Sequence, residues 1–171
     1  EIVSNNLIYL AAAYNGGPGN LKKWKQETNY LDDPLFFMES IPSRETRWFI
    51  EKILTKYWNA FKLANQLYYK FDIGGIHRNE YTGHKYEVGD WYTPHADFHP
   101  SDDFSIVKMT AVLFLNNEYE GGDFILFDDT IIEPEPGRLI IFPSFAGHQV
   151  TPVTKGVRYT SVCWVAGNTF K

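Results

Sequence analysis

Tyr86-Glu87-Val88-Gly89-Asp90-Trp91-Tyr92-Thr93-Pro94-His95-Ala96-Asp97 lies in the second of two parts of the chain that differ in character. Up to about residue 69, apolar residues recur at helical steps of three and four. From Phe71 onward they alternate, as on half-buried strands. On an extended strand, side chains two apart share a face, so His95 and Asp97 are expected to point the same way and reach one metal ion. A third ligand must come from another strand. The candidate is His148, which follows a strand-like run at 138–142 and the turn-rich Pro143-Ser144-Phe145-Ala146-Gly147. Two histidines and one carboxylate form a facial triad, the ligand set of non-haem Fe(II) that leaves coordination positions open. Ten residues after His148, Arg158 stands in a β-rich run. A guanidinium there could clamp a carboxylate through two parallel hydrogen bonds, which reads as a co-substrate site.

His95-X-Asp97, then His148, then Arg158 resembles the iron- and 2-oxoglutarate-dependent dioxygenases, in particular the prolyl-4-hydroxylase-like branch with phage and bacterial members. The resemblance covers roughly residues 63–171. It is carried further by Tyr119-Glu120-Gly121-Gly122-Asp123-Phe124, Pro136-Gly137-Arg138, Phe142-Pro143-Ser144, His148-Gln149-Val150-Thr151-Pro152-Val153 and Arg158-Tyr159-Thr160. It implies Fe(II) on His95, Asp97 and His148, with 2-oxoglutarate and O2 as co-substrates. Arg158 would hold the far carboxylate of 2-oxoglutarate, with Thr160 beside it as a hydroxyl donor. Some relatives use a tyrosine of the third core strand for that carboxylate; Phe114 stands at the matching position, and Thr110 is the candidate substitute. Tyr86 and Tyr92 are candidates to line the pocket and touch the co-substrate, although a buried strand tyrosine often serves only packing. Trp164 is read as a core residue, and His77, His84 and His99 are placed outside the site.

Upstream, the chain reads as helical. Residues 7–14 suit the end of a helix that Gly16-Gly17-Pro18-Gly19 interrupts. Asn20 is a candidate cap for a short helix through Glu27, and another short helix is expected at 34–39. Ser43 is the expected N-cap of a long helix at 43–69, with Glu45 in its first turn. Its apolar stripe of Ile50, Ile53, Leu54, Tyr57, Trp58, Phe61, Ala64 and Leu67 should cover one face of a sheet. Ala12-Ala13-Tyr14-Asn15-Gly16-Gly17-Pro18-Gly19 and Ile41-Pro42-Ser43-Arg44-Glu45-Thr46-Arg47 resemble the tail of the soluble lytic transglycosylase domain, over about residues 4–60. That family's catalytic glutamate lies upstream of the matched part, so the match implies a fragment without the acid that sugar cleavage needs. The two resemblances meet inside one helix near residues 59–63. They divide the chain into a helical piece, 1–62, and a dioxygenase piece, 63–171. Either the helical piece is fused as a scaffold, or the reading frame joins parts of two genes.

Strands are expected at 76–81, 91–97, 106–115, 123–127, 131–133, 138–142, 149–152 and 157–165. Turn residues separate them. The expected class is therefore α+β, a helical segment followed by a double-stranded β-helix, or jelly roll. A chain of 171 residues with 44% apolar content can bury one ordinary core. A net charge of −5 without any long Lys/Arg block argues against a nucleic-acid partner, and Lys22-Lys23-Trp24-Lys25 is read as a solvated helix face. The single cysteine, Cys163, excludes an intramolecular disulfide and suits a reducing, cytoplasmic setting. No membrane association is expected. The function expected is hydroxylation of a C–H bond of a protein residue or a small molecule, with 2-oxoglutarate converted to succinate. The loops at 98–105 and 116–122 are expected to choose the substrate. The alternatives are a remnant of a lytic transglycosylase and a catalytically silent jelly-roll binding module.

Overall fold

The computed structural model describes residues 6–27, 34–102, 105–127 and 129–169. Four helices come first: α1 (Leu7–Gly16), α2 (Pro18–Glu27), α3 (Pro34–Ser40) and α4 (Arg44–Ala64), the last running into a π-helical turn, Asn65–Tyr69. Eleven strands follow: β1 (Gly75–Tyr86), β2 (Tyr92–His95), β3 (Pro100–Asp102), β4 (Ser105–Phe114), β5 (Tyr119–Gly121), β6 (Phe124–Leu126), β7 (Thr130–Ile132), β8 (Leu139–Pro143), β9 (His148–Val150), β10 (Val153–Gly156) and β11 (Arg158–Asn168). The larger sheet runs β1-β11-β4-β3, with β8 also paired to β4. The smaller runs β2-β9-β6-β7, and β5 and β10 form a separate ribbon. The fold is α+β with a jelly-roll core, as expected from the sequence.

Strict alternation along β4 and β11 sets two cores back to back. Val112, Phe114 and Val162 face the smaller sheet and pack with Phe124, Leu126 and Val150. Met109, Ala111, Cys163 and Val165 face the other way, onto Tyr57 and Phe61 of α4. The long helix therefore covers the outer face of the larger sheet, as its apolar stripe requires. Ser43 caps it as expected, its side chain accepting from the Thr46 N–H at 3.2 Å. Ahead of it, Ile8, Ala12, Leu21, Trp24, Phe37 and Ile41 form a third core with Ile50, and Ile53 and Leu54 touch both this core and the sheet-side one.

The helix stops where Asn65 intervenes. Its side chain accepts from the Phe71 N–H at 2.8 Å and donates to the Phe71 carbonyl at 2.9 Å, while Lys70 takes a left-handed conformation. Tyr69 then ties the turn to β8 through its hydroxyl on the Ile141 carbonyl at 3.0 Å. Close by, Gly167 admits the chain of Asp72: a Cβ there would lie 1.8 Å from the Asp72 carbonyl oxygen.

Several boundaries differ from the sequence expectation. Helix α2 begins at Pro18 rather than after a cap at Asn20, because proline suits a first helical position whose N–H would be unpaired anyway. Asn20 lies inside the helix and donates back to the Gly16 carbonyl at 2.8 Å. Strands β3, β5 and β10 were not expected, since runs of three or four residues show no alternation. Strand β1 continues beyond Tyr81 to Tyr86, and β2 ends at His95, short of Asp97. The Lys22–Lys25 face is split: Trp24 is buried, Lys22 and Lys23 are exposed, and Lys25 lies over the Tyr9 ring at 4.3 Å. Among the described residues, no helix is long and apolar enough to cross a membrane.

Candidate active site

Strands β2 and β9 are antiparallel neighbours with His95 opposite His148, and the two imidazole centroids lie 4.2 Å apart. Each ring is held in the same way. Nδ1 of His95 is 2.8 Å from the Thr93 carbonyl, and Nδ1 of His148 is 3.0 Å from the Ala146 carbonyl. A carbonyl can only accept, so each Nδ1 carries the hydrogen and each Nε2 presents its lone pair. Burial is the main force lowering the pKa of His148, which keeps it in the neutral form a metal requires; the Ala146 carbonyl and Asp97 partly oppose this.

Asp97 reaches the same point without the shared strand face that alternation implied. The register slips by one residue between Tyr92 and His95, and Asp97 lies past the end of β2. What fixes it is a pair of donors from the larger sheet. Thr110 Oγ1 donates to Asp97 Oδ2 at 2.7 Å and Trp164 Nε1 donates to the same oxygen at 2.9 Å. Thr110 and Trp164 are register partners on β4 and β11, so their side chains converge. Oδ1 is left facing His95 Nε2 at 3.2 Å, and Oδ2 lies 3.6 Å from His148 Nε2. Ligand atoms of His95, Asp97 and His148 all fall within 4.8 Å of one another.

Arg158 lies across the pocket, on β11 opposite Tyr86 of β1. Its residue is only 1% exposed. Nη1 donates to Thr160 Oγ1 at 3.2 Å, while among the described residues Nε and Nη2 have no hydrogen-bond partner. The Tyr86 and Phe114 rings flank Cζ at 5.0 and 5.6 Å. Tyr119 stands beside the guanidinium; burial raises its phenol pKa and Arg158 draws it back. The Gly121-Gly122 pair makes room for this arrangement. Gly122 has φ +63°, and a Cβ on it would sit 2.9 Å from Val153 Cγ2 and 3.2 Å from Arg158 Cδ. A buried cation with unmet donors is costly unless an anion completes it. A cavity of about 100 Å³ is lined at once by His95, Asp97, His148, Arg158 and Thr160.

The structure thus brings His95, Asp97 and His148 together at one end and Arg158, Thr160 and Tyr86 at the other. Tyr92 lies at the mouth, 45% exposed, with its ring 4.5 Å from that of His95. Two expectations are corrected. Thr110 does not supply the missing tyrosine's hydroxyl beside Phe114, because Asp97 takes it; and Trp164 is a pocket residue that orients Asp97, where the sequence suggested only core. His84 and Tyr119 were missed. His84 also lines the cavity, on the polar extension of β1 two residues before Tyr86. In the loops expected to choose substrate, residues 103 and 104 lie outside the described residues.

The family model for the 2OG-Fe(II) oxygenase superfamily matches residues 81–166. A PKHD-type hydroxylase of Shewanella oneidensis is 36% identical over 89 residues, covering 47% of this chain and 40% of the relative. The PKHD-type hydroxylase YbiX of Escherichia coli is 32% identical over 90 residues, with the same coverage. The chain thus spans about two-fifths of the length of these curated relatives. Among solved structures, a Pseudomonas putida prolyl-4-hydroxylase superposes with a TM-score of 0.57 at 24% identity, covering 71% of this chain and 66% of that one. The viral collagen prolyl hydroxylase of Paramecium Bursaria Chlorella virus-1, solved as a 2OG complex, gives 0.55 at 20% identity, covering 75% and 76%. These two likenesses concern the fold, whereas the sequence model spans half of the chain, from β1 to β11, and by it the protein belongs to the 2OG-Fe(II) oxygenase superfamily.

Proposed function

We propose that residues 63–171 are a dioxygenase domain that holds Fe(II) on His95 Nε2, Asp97 Oδ1 and His148 Nε2 and binds 2-oxoglutarate between the metal and Arg158. The observation that carries this reading is the pair of unpartnered donors, Nε and Nη2 of buried Arg158, in the same pocket as the three converging ligand atoms. The donor chemistry fits: two neutral imidazoles and a carboxylate suit Fe(II) and leave positions for a chelating keto acid and O2. When bound, iron and 2-oxoglutarate together supply the oxidising power, O2 being divided between succinate and a hydroxylated substrate as CO2 leaves. The chain supplies placement. Thr110 and Trp164 hold Asp97 from the second oxygen, leaving the first for the metal. Val112, Val150, Val162 and Phe124 supply the apolar wall of the pocket.

The substrate is a C–H bond of a protein residue, prolyl-type, or of a small molecule, in the cytoplasm. The name of one structural neighbour, a viral collagen prolyl hydroxylase, favours a polypeptide. We read residues 1–62 as a helical scaffold on which α4 is docked. They resemble the tail of a lytic transglycosylase domain.

An anaerobic titration with Fe(II) and then 2-oxoglutarate tests the assignment, followed by measurement of succinate on admitting O2. Two-step saturable binding and succinate release are expected. Arg158→Ala should weaken 2-oxoglutarate binding by roughly 2–5 kcal/mol, as for truncating one partner of a buried charge pair, while iron affinity holds. Arg158→Lys should restore only part, lacking the planar fork. Equal 2-oxoglutarate affinity in the Ala variant removes the reading, and binding without turnover returns the silent module. Clearing of a peptidoglycan suspension would restore the transglycosylase alternative.

A further inference from the structure

We infer that His84 is a positioning residue for the acid-binding end of the pocket: it accepts a hydrogen bond from Thr82 and donates one to the Tyr86 hydroxyl, freeing the Tyr86 O–H to donate to a bound carboxylate. The inference rests on the 2-oxoglutarate reading above and concerns a residue outside the metal triad and outside the arginine clamp.

Thr82, His84 and Tyr86 occupy alternate positions of β1 and so share its inward face. Their register partners on β11 are Val162, Thr160 and Arg158, which places His84 directly across from the threonine that Arg158 touches. Thr82 Oγ1 lies 2.8 Å from His84 Nε2, and His84 Nδ1 lies 3.4 Å from the Tyr86 hydroxyl. The His84 and Tyr86 rings are nearly parallel, 23° apart in tilt. Both ring nitrogens of His84 therefore face hydroxyl groups, and both His84 and Tyr86 line the cavity. A neutral imidazole has one donor and one acceptor, so only two directions are open to the chain. In one, Tyr86 donates to His84 and turns its lone pairs toward the pocket. In the other, Thr82 donates to Nε2, Nδ1–H donates to Tyr86, and the phenolic hydrogen points to the ligand. A carboxylate drawn to Arg158, whose Cζ is 5.0 Å from the Tyr86 ring, repels the first arrangement and selects the second. Hydrogen bonds in series polarise one another, so the Tyr86 hydroxyl becomes a better donor than it would be alone. Burial, and after it the Arg158 charge, lower the His84 pKa and keep the ring in the neutral state this relay needs; Asp97 acts in the opposite sense.

The experiment measures the dissociation constant of 2-oxoglutarate for the Mn(II)-loaded protein by calorimetry, with Mn(II) affinity measured alongside. Four variants are compared with the parent: His84→Leu, His84→Asn, Tyr86→Phe and the double variant His84→Leu/Tyr86→Phe. His84→Leu should weaken 2-oxoglutarate about threefold to tenfold, the range for one net hydrogen bond. His84→Asn, whose amide nitrogen can stand where Nδ1 does, should recover most of that loss. Tyr86→Phe should lose a similar factor, and adding His84→Leu to it should lose no more, because the relay has no recipient. Mn(II) affinity should be unchanged throughout. Unaltered binding in His84→Leu, an equal further loss in the Tyr86→Phe background, failure of Asn to recover, or a parallel loss of Mn(II) affinity each overturns the inference. A parent that takes up Mn(II) but never 2-oxoglutarate overturns the co-substrate reading and this inference with it. A parent that binds 2-oxoglutarate in an Arg158-dependent way, with no effect at His84, overturns this inference alone.

Discussion

The helical front and the jelly roll bury different things. In the front, the described interior is Ile8, Ala11, Ala12, Leu21, Trp24, Phe37, Met38, Ile41 and Ile50, and its buried polar residue, Thr46, is engaged with the Ser43 cap. In the jelly roll, Asp97, Lys108, Thr110, Ser144, His148, Arg158, Thr160 and Ser161 are all buried. Apolar burial stabilises a fold with no further demand on the surroundings, whereas a buried ion or imidazole raises the free energy unless something answers it. The difference separates packing from chemistry: the front packs apolar side chains under α4, and the roll holds Arg158, whose Nε and Nη2 have no hydrogen-bond partner among the described residues.

Substituting Asp97 should give the largest effect and tests the chemical side of that contrast. Asp97→Ala removes the carboxylate between the two imidazoles and strands the Thr110 and Trp164 donors. Metal affinity should fall beyond detection in a Co(II) titration. Retention of tight Co(II) binding would show that the three ligand atoms are near one another without acting together. Phe37→Ala tests the packing side. Phe37 is fully buried and meets the Tyr9 ring edge-on at 5.0 Å. Its truncation should cost about 3–5 kcal/mol of stability by denaturant unfolding, yet leave Co(II) affinity of the folded protein alone. A drop in metal affinity would mean that the front and the site are coupled through α4.

Particular residues show how much of this was readable in advance. The convergence of His95, Asp97 and His148 and the place of Arg158 on the same cavity were legible because their spacing is tied to strands and turns, and Ser43 because a cap is local chemistry. The means by which Asp97 arrives was not. Alternation places it beside His95, and the two side chains do meet at 3.2 Å, but β2 ends at His95, so the aspartate lies beyond the strand and is held by Thr110 and Trp164, 13 and 67 residues away. Such a pairing depends on the register of β4 against β11, which no local pattern encodes. Trp164 reads as core for the same reason, since its apolar neighbours mask one N–H. His84 was lost because β1 continues through Gly83 and Lys85, residues that look like the end of a strand.

Trp164→Phe isolates that hidden contact and comes next in size. The ring volume is largely kept, but the 2.9 Å bond to Asp97 Oδ2 is lost. Partners of this outer kind typically contribute tenfold to a hundredfold in metal affinity, so Co(II) should bind weaker by about that factor. Thr110→Val should act in the same direction. If neither changes metal affinity, Asp97 is oriented by the backbone beyond β2, and the larger sheet serves only as a wall.

The smallest effect expected is a pH dependence that belongs to the roll. All five histidines lie at position 77 or later, so the front has none to titrate. Burial lowers the pKa of both His84 and His148 in the folded protein. The unfolded chain takes up protons on these residues as the pH falls through about 6.5, while the folded chain resists until a lower pH. Over that window the unfolded state binds more protons, and stability must decline as the pH falls. Stability from these two groups is therefore full above about pH 6.5 and is eroded progressively below it, down to their folded-state pKa values. The thermal midpoint of the metal-free protein should drop between about pH 7.5 and pH 5. In the double variant His84→Asn/His148→Asn, which has nothing to protonate at either place, the drop should be smaller. An identical drop in parent and variant would assign the acid sensitivity to the carboxylates and remove the buried imidazoles from the account of how the two regions differ.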